Sequence, residues 1–535
     1  MTTLVPGHTD SSSFSYFRRE SASAFLLPRR RTTALAMLLL LTGCHHSALP
    51  PSTFTVAIQA SPNSLDPRLG TDAVSERLDG LLFDSLTRKD AQFRLQPWLA
   101  TSWDRPDPLT LVFHLRPGVH FTDGRLLTSA DCAWTIHSML NGSLMTSKSG
   151  AFSSVSSIET PDPLTLTLHL TRPDASLLYN VSDGLFGVVP MGSGKDFGSH
   201  PVGSGPFRFV SAAQDNEVVV ARNPAYWGGA PSPTLDRVRF AVVPDAVTVA
   251  LELESGSTNL ESNELTLDMV HALTGRHGIV TDIGNSSRVT YLNFNVARGP
   301  LADRRVRQAI AYAIDRPEII RSAWRGQAEL AWTLLPPGHW AAVPQAEGSN
   351  YPHDPARARA LLDEAGYKPD SHGVRLNIEM KTSQDEATRL LAEILQQQLA
   401  AAGIHLTLRA SEFGAFYADV TAGRFEMYSL NWIGSNEDPD IFRYAYASDR
   451  TPPRGGNRGH YSNPRVDALL AQAAATTDEP TRRAAYAQVQ RILAIDLPSI
   501  PLWYPRNEVL HTPGLTGVVP PADGSYDYLR RAALR

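Results

Sequence analysis

The chain has 535 residues, 42% of them hydrophobic and 19% charged, with a formal net charge of −5. That length exceeds what one hydrophobic core usually organises, so two or more domains are expected, and the acidic balance argues against nucleic acid as a partner. Two cysteines, Cys44 and Cys132, exclude a disulfide framework.

At the N-terminus, Arg29-Arg30-Arg31, the apolar run Ala34 to Leu41 and Leu41-Thr42-Gly43-Cys44 read as a lipoprotein export signal. The run is far too short to span a hydrocarbon core of roughly 30 Å. Residues 1–43 are therefore expected to be removed and Cys44 to become the lipidated first residue. A diacyl group plus an amide-linked acyl chain would anchor it firmly at the outer face of a membrane. The stretch before Arg29 is Ser-rich and longer than such a signal needs. The removed part carries five arginines against one aspartate and one glutamate, so the mature 492 residues carry −8. Residues 44–53 are polar and contain proline, as a tether does. Cys132, in Cys132-Ala133-Trp134-Thr135-Ile136, is expected to be buried packing.

Regular structure is expected to start near Phe54. Two segments then repeat each other, Pro106-Asp107-Pro108-Leu109-Thr110-Leu111-Val112-Phe113-His114-Leu115 and Pro161-Asp162-Pro163-Leu164-Thr165-Leu166-Thr167-Leu168-His169-Leu170. Each reads as a turn followed by an alternating strand, with Leu109, Leu111, Phe113 and Leu115, or Leu164 to Leu170, on one face. His114 and His169 fall on the polar faces, and solvated strand histidines are expected rather than a metal site. Farther on, Asp303 is placed to cap a helix burying Val306, Ala309, Ile310, Ala313 and Ile314. A helix over 386–402, with Leu390, Leu391, Ile394, Leu395 and Leu399 as its stripe, stops at Gly403 and feeds a strand from Ile404 to Leu408. The pattern recurs as a helix over 413–422 and a strand over 425–432, and helices are expected over 466–475 and 481–495. The second half is thus α/β, and the first half is richer in strands and turns.

Enzyme signatures are absent: there is no Gly-x-Ser-x-Gly, His-Glu-x-x-His or Cys-x-x-Cys. Gly192-Ser193-Gly194-Lys195 lacks a glycine at Val189 and has Asp196 where a magnesium-binding hydroxyl belongs. Gly203-Ser204-Gly205-Pro206 fails the dinucleotide fingerprint at Arg208. A binding protein, without catalytic residues, metal or cofactor, is the expectation.

Taken in order, the motifs resemble the extracellular solute-binding proteins of peptide, dipeptide and nickel ABC transporters, the family-5 class. The resemblance runs from about Phe54 to the C-terminus. It rests on Ser64-Leu65-Asp66-Pro67, Leu81 to Leu86, Pro97-Trp98-Leu99-Ala100-Thr101-Ser102-Trp103 and the block Phe113 to Gly124. Further marks are Pro201-Val202-Gly203-Ser204-Gly205-Pro206-Phe207, Arg222-Asn223-Pro224-Ala225-Tyr226-Trp227, Asn293-Phe294-Asn295 and Arg305-Val306-Arg307-Gln308-Ala309 through Asp315-Arg316. It implies an α/β, two-lobed type II periplasmic binding protein with an extra small domain. Lobe I would comprise 54–80, 200–290 and 500–535, the small domain 81–199, and lobe II 291–499. Most of these motifs are read as architectural, with Asp123-Gly124 and Asn223-Pro224 as turns and Trp227 as packing.

The resemblance places ligand-facing residues in Leu430-Asn431-Trp432-Ile433-Gly434-Ser435-Asn436-Glu437-Asp438-Pro439-Asp440. Trp432 looks like the residue that packs on the ligand, with a core tryptophan as the alternative. Dipeptide and oligopeptide members carry, where Ser435 stands, an aspartate that binds the ligand's ammonium. Its loss costs roughly 3 to 5 kcal/mol unless Glu437 or Asp438 supplies the charge. Asp438 and Asp440 also suit a turn and a helix cap before Ile441. Asn436 completes the loop, and Leu334-Leu335-Pro336-Pro337-Gly338-His339-Trp340 resembles another cleft-side loop, where His339 or Trp340 would touch ligand and His339 keeps a nickel chelate open. The function implied is capture of a peptide or peptide-like solute by a monomer, which passes it to an ABC permease and its ATPase subunits. The rivals are a non-peptide ligand (an oligosaccharide, an opine, a glutathione-like molecule or a metal chelate) and a sensory or chaperone-like receptor without transport. The expected location is the periplasmic face of the envelope, or the extracellular face where there is one membrane.

Overall fold

The structure, a computed structural model, describes residues 53–534 apart from 183 and 230–232. The export signal, the tether and Cys44 lie outside the described residues. The described residues form one compact unit. Among the described residues no helix is long and apolar enough to cross a membrane.

Two large sheets carry the unit. The first has seven strands in the order Val280–Gly284, Asn507–His511, Leu260–Ser262, Thr53–Ile58, Arg237–Val242, Glu217–Arg222, Phe207–Ala213. Thr53–Ile58 runs parallel to both its neighbours, and Phe54 to Ile58 are all buried, as a strand covered on both faces requires. The second has six strands in the order Ala328–Leu330, Ser499–Pro505, Val289–Phe294, Met427–Trp432, Leu376–Ser383, Ile404–Ser411. Ile500, Leu502 and Trp503 belong to the core of this second sheet. The chain therefore passes from the second sheet to the first between Pro505 and Asn507.

Local sequence explains most of the elements. Leu376–Ser383, the helix Glu386–Ala400 and the parallel strand Ile404–Ser411 make a β-α-β crossover. The Asp385 carboxylate accepts from the Thr388 N–H at 3.0 Å, and Gly403 takes a φ of +85° that admits a glycine best. The buried stripe is Leu391, Ala392, Leu395 and Leu399, whereas Leu390 is 43% exposed, because at 100° per residue it lies off the stripe that spacings of three and four define. Asp303 caps Arg304–Ala313 through the Arg305 N–H at 2.8 Å, and its five expected apolar positions are buried. The last two long helices start earlier than expected, at Pro464 and Glu479, because Asn463 and Asp478 cap them and a proline sits in each first turn. The helix Phe413–Thr421 and the strand Met427–Trp432 keep their expected places with slightly shorter ends.

The repeated segments form a four-stranded sheet in the order Ala100–Asp107, Thr110–Leu115, Thr165–Leu170, Val155–Asp162. Each Pro-Asp pair closes a preceding strand rather than starting the turn alone. The Asp107 and Asp162 carboxylates accept from the N–H groups of Leu109 and Leu164 at 2.7 and 2.8 Å. Leu109 and Leu164 consequently sit in the turns, exposed, while Leu111, Phe113, Leu115, Leu166, Leu168 and Leu170 face the core. The hairpins pair in a two-fold manner, Leu115 N–H donating to Leu164 O and Leu170 N–H to Leu109 O, both at 2.7 Å. His114 pairs with Asp104 at 2.8 Å and His169 with Glu159 at 3.4 Å. In register they lie opposite Thr165 and Thr110, at opposite ends of the strand pair, so they share no site. Cys132 is buried on the helix Ser129–Leu140, where burial pushes its thiol up, out of the reactive range.

The family-like motifs converge on backbone and buried charge. The Asp84 carboxylate accepts from Trp98 Nε1 (2.8 Å), Trp227 Nε1 (2.8 Å), the Ser204 hydroxyl (2.9 Å) and the Tyr226 hydroxyl (3.1 Å). A Cβ on Gly203 would stand 1.9 Å from the Leu82 carbonyl oxygen, so only glycine lets that loop reach Asp84. Arg307 donates to the carbonyls of Leu301, Ala302, Asp496 and Leu497, closing the C-terminus of Glu479–Asp496.

Candidate functional site

Trp432 ends a central strand of the six-stranded sheet, and Gly434, at φ +73°, turns the chain into the short 3-10 turn Ser435–Glu437. This loop has two unlike sides.

On one side an aromatic platform is open to solvent. Trp432, partly buried, stacks on Tyr291 (ring centres 5.4 Å apart, planes 11° apart) and meets Tyr444 edge-on at 6.0 Å. The helix Phe413–Thr421 brings Phe413 and Tyr417, stacked at 5.9 Å. Phe413, Tyr417, Tyr444 and Ile433 are exposed by 56, 40, 44 and 68%. Arg458 completes the group, its guanidinium carbon 5.3 Å from the centre of the Tyr417 ring and 5.5 Å from that of Trp432.

On the other side the loop is closed against the hairpin Thr87–Lys89/Leu95–Pro97. Glu437 pairs with Lys89 at 2.6 Å, both side chains under 10% exposed. Phe93, at the hairpin tip with a φ of +61°, stacks on His339 at 5.4 Å. His339 Nε2 donates to the Glu437 carbonyl at 3.1 Å and its Nδ1 accepts from the Ala341 N–H at 3.0 Å. Both ring nitrogens are used, and burial drives its pKa down to about 3, so the ring is neutral and has no lone pair for a metal. Trp340 Nε1 donates to the Tyr179 hydroxyl at 2.9 Å, which donates to the Phe93 carbonyl at 3.1 Å. Among the described residues no cluster of His, Cys, Asp or Glu could hold a metal.

The acidic positions also have partners. Asp438 accepts from the Asp440 N–H at 3.0 Å and pairs with Arg482 at 3.4 Å, and Arg482 lies over the rings of Trp340, Tyr179 and Tyr486. Asp440 precedes Ile441–Tyr446 but its side chain makes no cap bond, and it accepts from the Tyr486 hydroxyl at 3.3 Å instead. Burial and the neighbouring Asp438 raise its pKa to about 7. Asn436 Nδ2 donates to the carbonyls of Ser287 and Leu334, tying the loop down. The Ser435 side chain lies outside the described residues.

The residues named from sequence thus separate. Trp432 belongs to the open platform. His339, Trp340, Asn436, Glu437 and Asp438 are engaged by other protein groups. Phe413, Tyr417, Tyr444 and Arg458 escaped the sequence reading, because only the fold brings them to Trp432. Phe413 and Tyr417, one helical turn apart, were the one legible hint.

A family model described as "Bacterial extracellular solute-binding proteins, family 5 Middle" matches residues 94–452. The chain is 28% identical over 494 residues to the glutathione-binding protein GsiB of Salmonella typhi, covering 90% of this chain and 94% of that one. Among solved structures it is similar to the periplasmic binding protein DppA from Helicobacter pylori in complex with the peptide STSA. That match has a TM-score of 0.72 at 26% identity, over 90% of this chain and 98% of that one. It is also similar to NikZ from Campylobacter jejuni in complex with Ni(L-His), with a TM-score of 0.72 at 25% identity, over 89% and 98% of the two chains.

Proposed function

Because the chain belongs to the family-5 bacterial extracellular solute-binding proteins, a family of binders and not of enzymes, we propose that it captures a peptide or peptide-like solute on the Trp432 platform. It then hands the solute to a membrane permease driven by an ATPase. The observation that carries this reading is the open aromatic face of Trp432, Tyr417, Phe413 and Tyr444 at the end of a central strand. Exposed aromatic rings around one cation are what an amphipathic solute needs for burial and orientation together. The seven-stranded and six-stranded sheets are assigned to two lobes, and the four-stranded sheet to a small third domain. Closure of the lobes over the platform would be driven by the ligand's higher affinity for the closed state. Cys44 is assigned as the lipid anchor that keeps the protein at the membrane surface.

The position of His339 speaks against a nickel chelate, since its imidazole already serves two backbone groups. A peptide-like ligand held without its ammonium is favoured over one held through it by one observation: Glu437 and Asp438 are already paired with cations. Native mass spectrometry of the full chain released in detergent tests the reading. Peptide or γ-peptide masses that co-purify and are lost in Trp432→Ala are expected, whereas a single sugar mass, unaffected by that substitution, would overturn it.

A further inference from the structure

We propose that Arg458 is a carboxylate anchor, so that the platform selects solutes with an anionic end and does not require a free ammonium. This rests on the platform being the ligand-binding face.

Arg458 is 7% exposed, yet no carboxylate among the described residues lies within ion-pairing distance of it. Its polar partners are phenols, the Tyr417 hydroxyl at 2.9 Å and the Tyr291 hydroxyl at a marginal 3.5 Å. Other deeply buried arginines are differently furnished. Arg68 forks onto Asp66, Arg482 meets Asp438, and Arg307 and Arg316 are ringed by backbone carbonyls. A guanidinium keeps its proton in all these settings. At Arg458 burial opposes the charge, and the hydroxyls that accept from it favour the charge. A desolvated cation faced by rings and phenols, without an anion, is left with donors that a ligand carboxylate would satisfy two at a time.

The loop that carries it is built to hold it still. The Asn457 amide donates to the carbonyls of Ala447 (3.0 Å) and Tyr461 (2.8 Å) and accepts from the Tyr461 N–H (2.9 Å). A Cβ on Gly456 would stand 2.6 Å from Tyr444 and 3.0 Å from Trp432, so the loop packs directly on the platform. The rings flanking the guanidinium are those an entering solute would meet, since Tyr417 and its stacking partner Phe413 are exposed. Nearby carboxylates that would attract an ammonium are neutralised, Glu437 by Lys89 and Asp438 by Arg482.

The test uses the full chain in detergent and a tryptic casein digest supplemented with glutathione, offered in three forms: untreated, N-acetylated and methyl-esterified. Bound masses and affinities are read by native mass spectrometry and calorimetry. Untreated and acetylated forms should bind alike, and the esterified form at least tenfold more weakly. Arg458→Gln should remove that discrimination, and Arg458→Lys, which keeps the charge but not the fork, should restore part of it. A purely structural arginine would weaken all forms equally in both variants, and esterified solutes bound as tightly as untreated ones would likewise overturn the anchor. Capture of no form would instead overturn the platform reading, and the anchor with it. Circular dichroism on each variant separates loss of fold from loss of selectivity.

Discussion

Asp84 shows how much of this protein's sequence signature is spent on one buried charge. Its two oxygens take four donors from three distant motifs, so Asp84→Ala would strand two indoles and two hydroxyls at once. Buried charged networks lose about 3 to 5 kcal/mol when one partner is removed. Urea unfolding should show a loss of that order, and a change below about 1 kcal/mol would mean that water replaces the carboxylate. Ser435 offers the opposite experiment, a gain. The family resemblance implies an aspartate at this place in dipeptide-binding members, and Glu437 and Asp438 are paired. Ser435→Asp should therefore improve calorimetric affinity for free-amine peptides at least tenfold and leave N-acetylated ones unchanged. An equal effect on both would show that the new carboxylate does not face the ligand.

Among the elements, the short hairpin Thr87–Lys89/Leu95–Pro97 has the largest consequence for its size, because its tip fastens the loop after Trp432. Phe93 stacks on His339, the Gln92 carbonyl accepts from the Trp340 N–H at 3.1 Å, and Lys89 neutralises Glu437. Lys89→Met would leave a buried carboxylate uncompensated. We expect about 3 kcal/mol of destabilisation, largely recovered in the double variant with Glu437→Gln. A double variant no more stable than Lys89→Met would show that the pair is not the interaction that matters. The helix-to-strand units were readable at this scale because their signals are local: Gly403 stops a helix and apolar residues repeat along it, whereas the caps Asn463 and Asp478 start two helices earlier than that repeat indicates. The hairpin was not readable, because a three-residue strand has too few alternations to stand out.

At the scale of the whole molecule, buried acids dominate the pH dependence. Burial raises the pKa of Glu76 to about 7, Glu261 to about 8 and Glu508 to about 7, and burial with Asp438 raises that of Asp440 to about 7. A carboxyl group with a raised folded pKa stabilises the fold below its unfolded value, near 4.5 for Glu, and loses that contribution as pH rises through 7 to 8. His339 acts in the other sense, since a folded pKa of about 3 costs stability only as pH falls below its ordinary 6.5. Four groups outweigh one, so the melting temperature should fall between pH 5 and pH 8. A melting temperature that rises over that interval would refute this balance, and Glu261→Gln should flatten the slope.

By itself the sequence determined the α/β elements, the family resemblance and the place of Trp432, because capping, periodicity and motif order are properties of neighbouring residues. Only the tertiary structure decided which side chains near Trp432 are free. Glu437, Asp438 and His339 read as ligand groups, yet Lys89, Arg482 and the Glu437 carbonyl engage them from far along the chain. Arg458, in the glycine-rich stretch Gly455-Gly456-Asn457-Arg458-Gly459, carried no local signal, although the fold sets it between the rings of Tyr417 and Trp432. The reason is physical: a buried charge is defined by its partners, and those partners are separated in sequence by as many as several hundred residues.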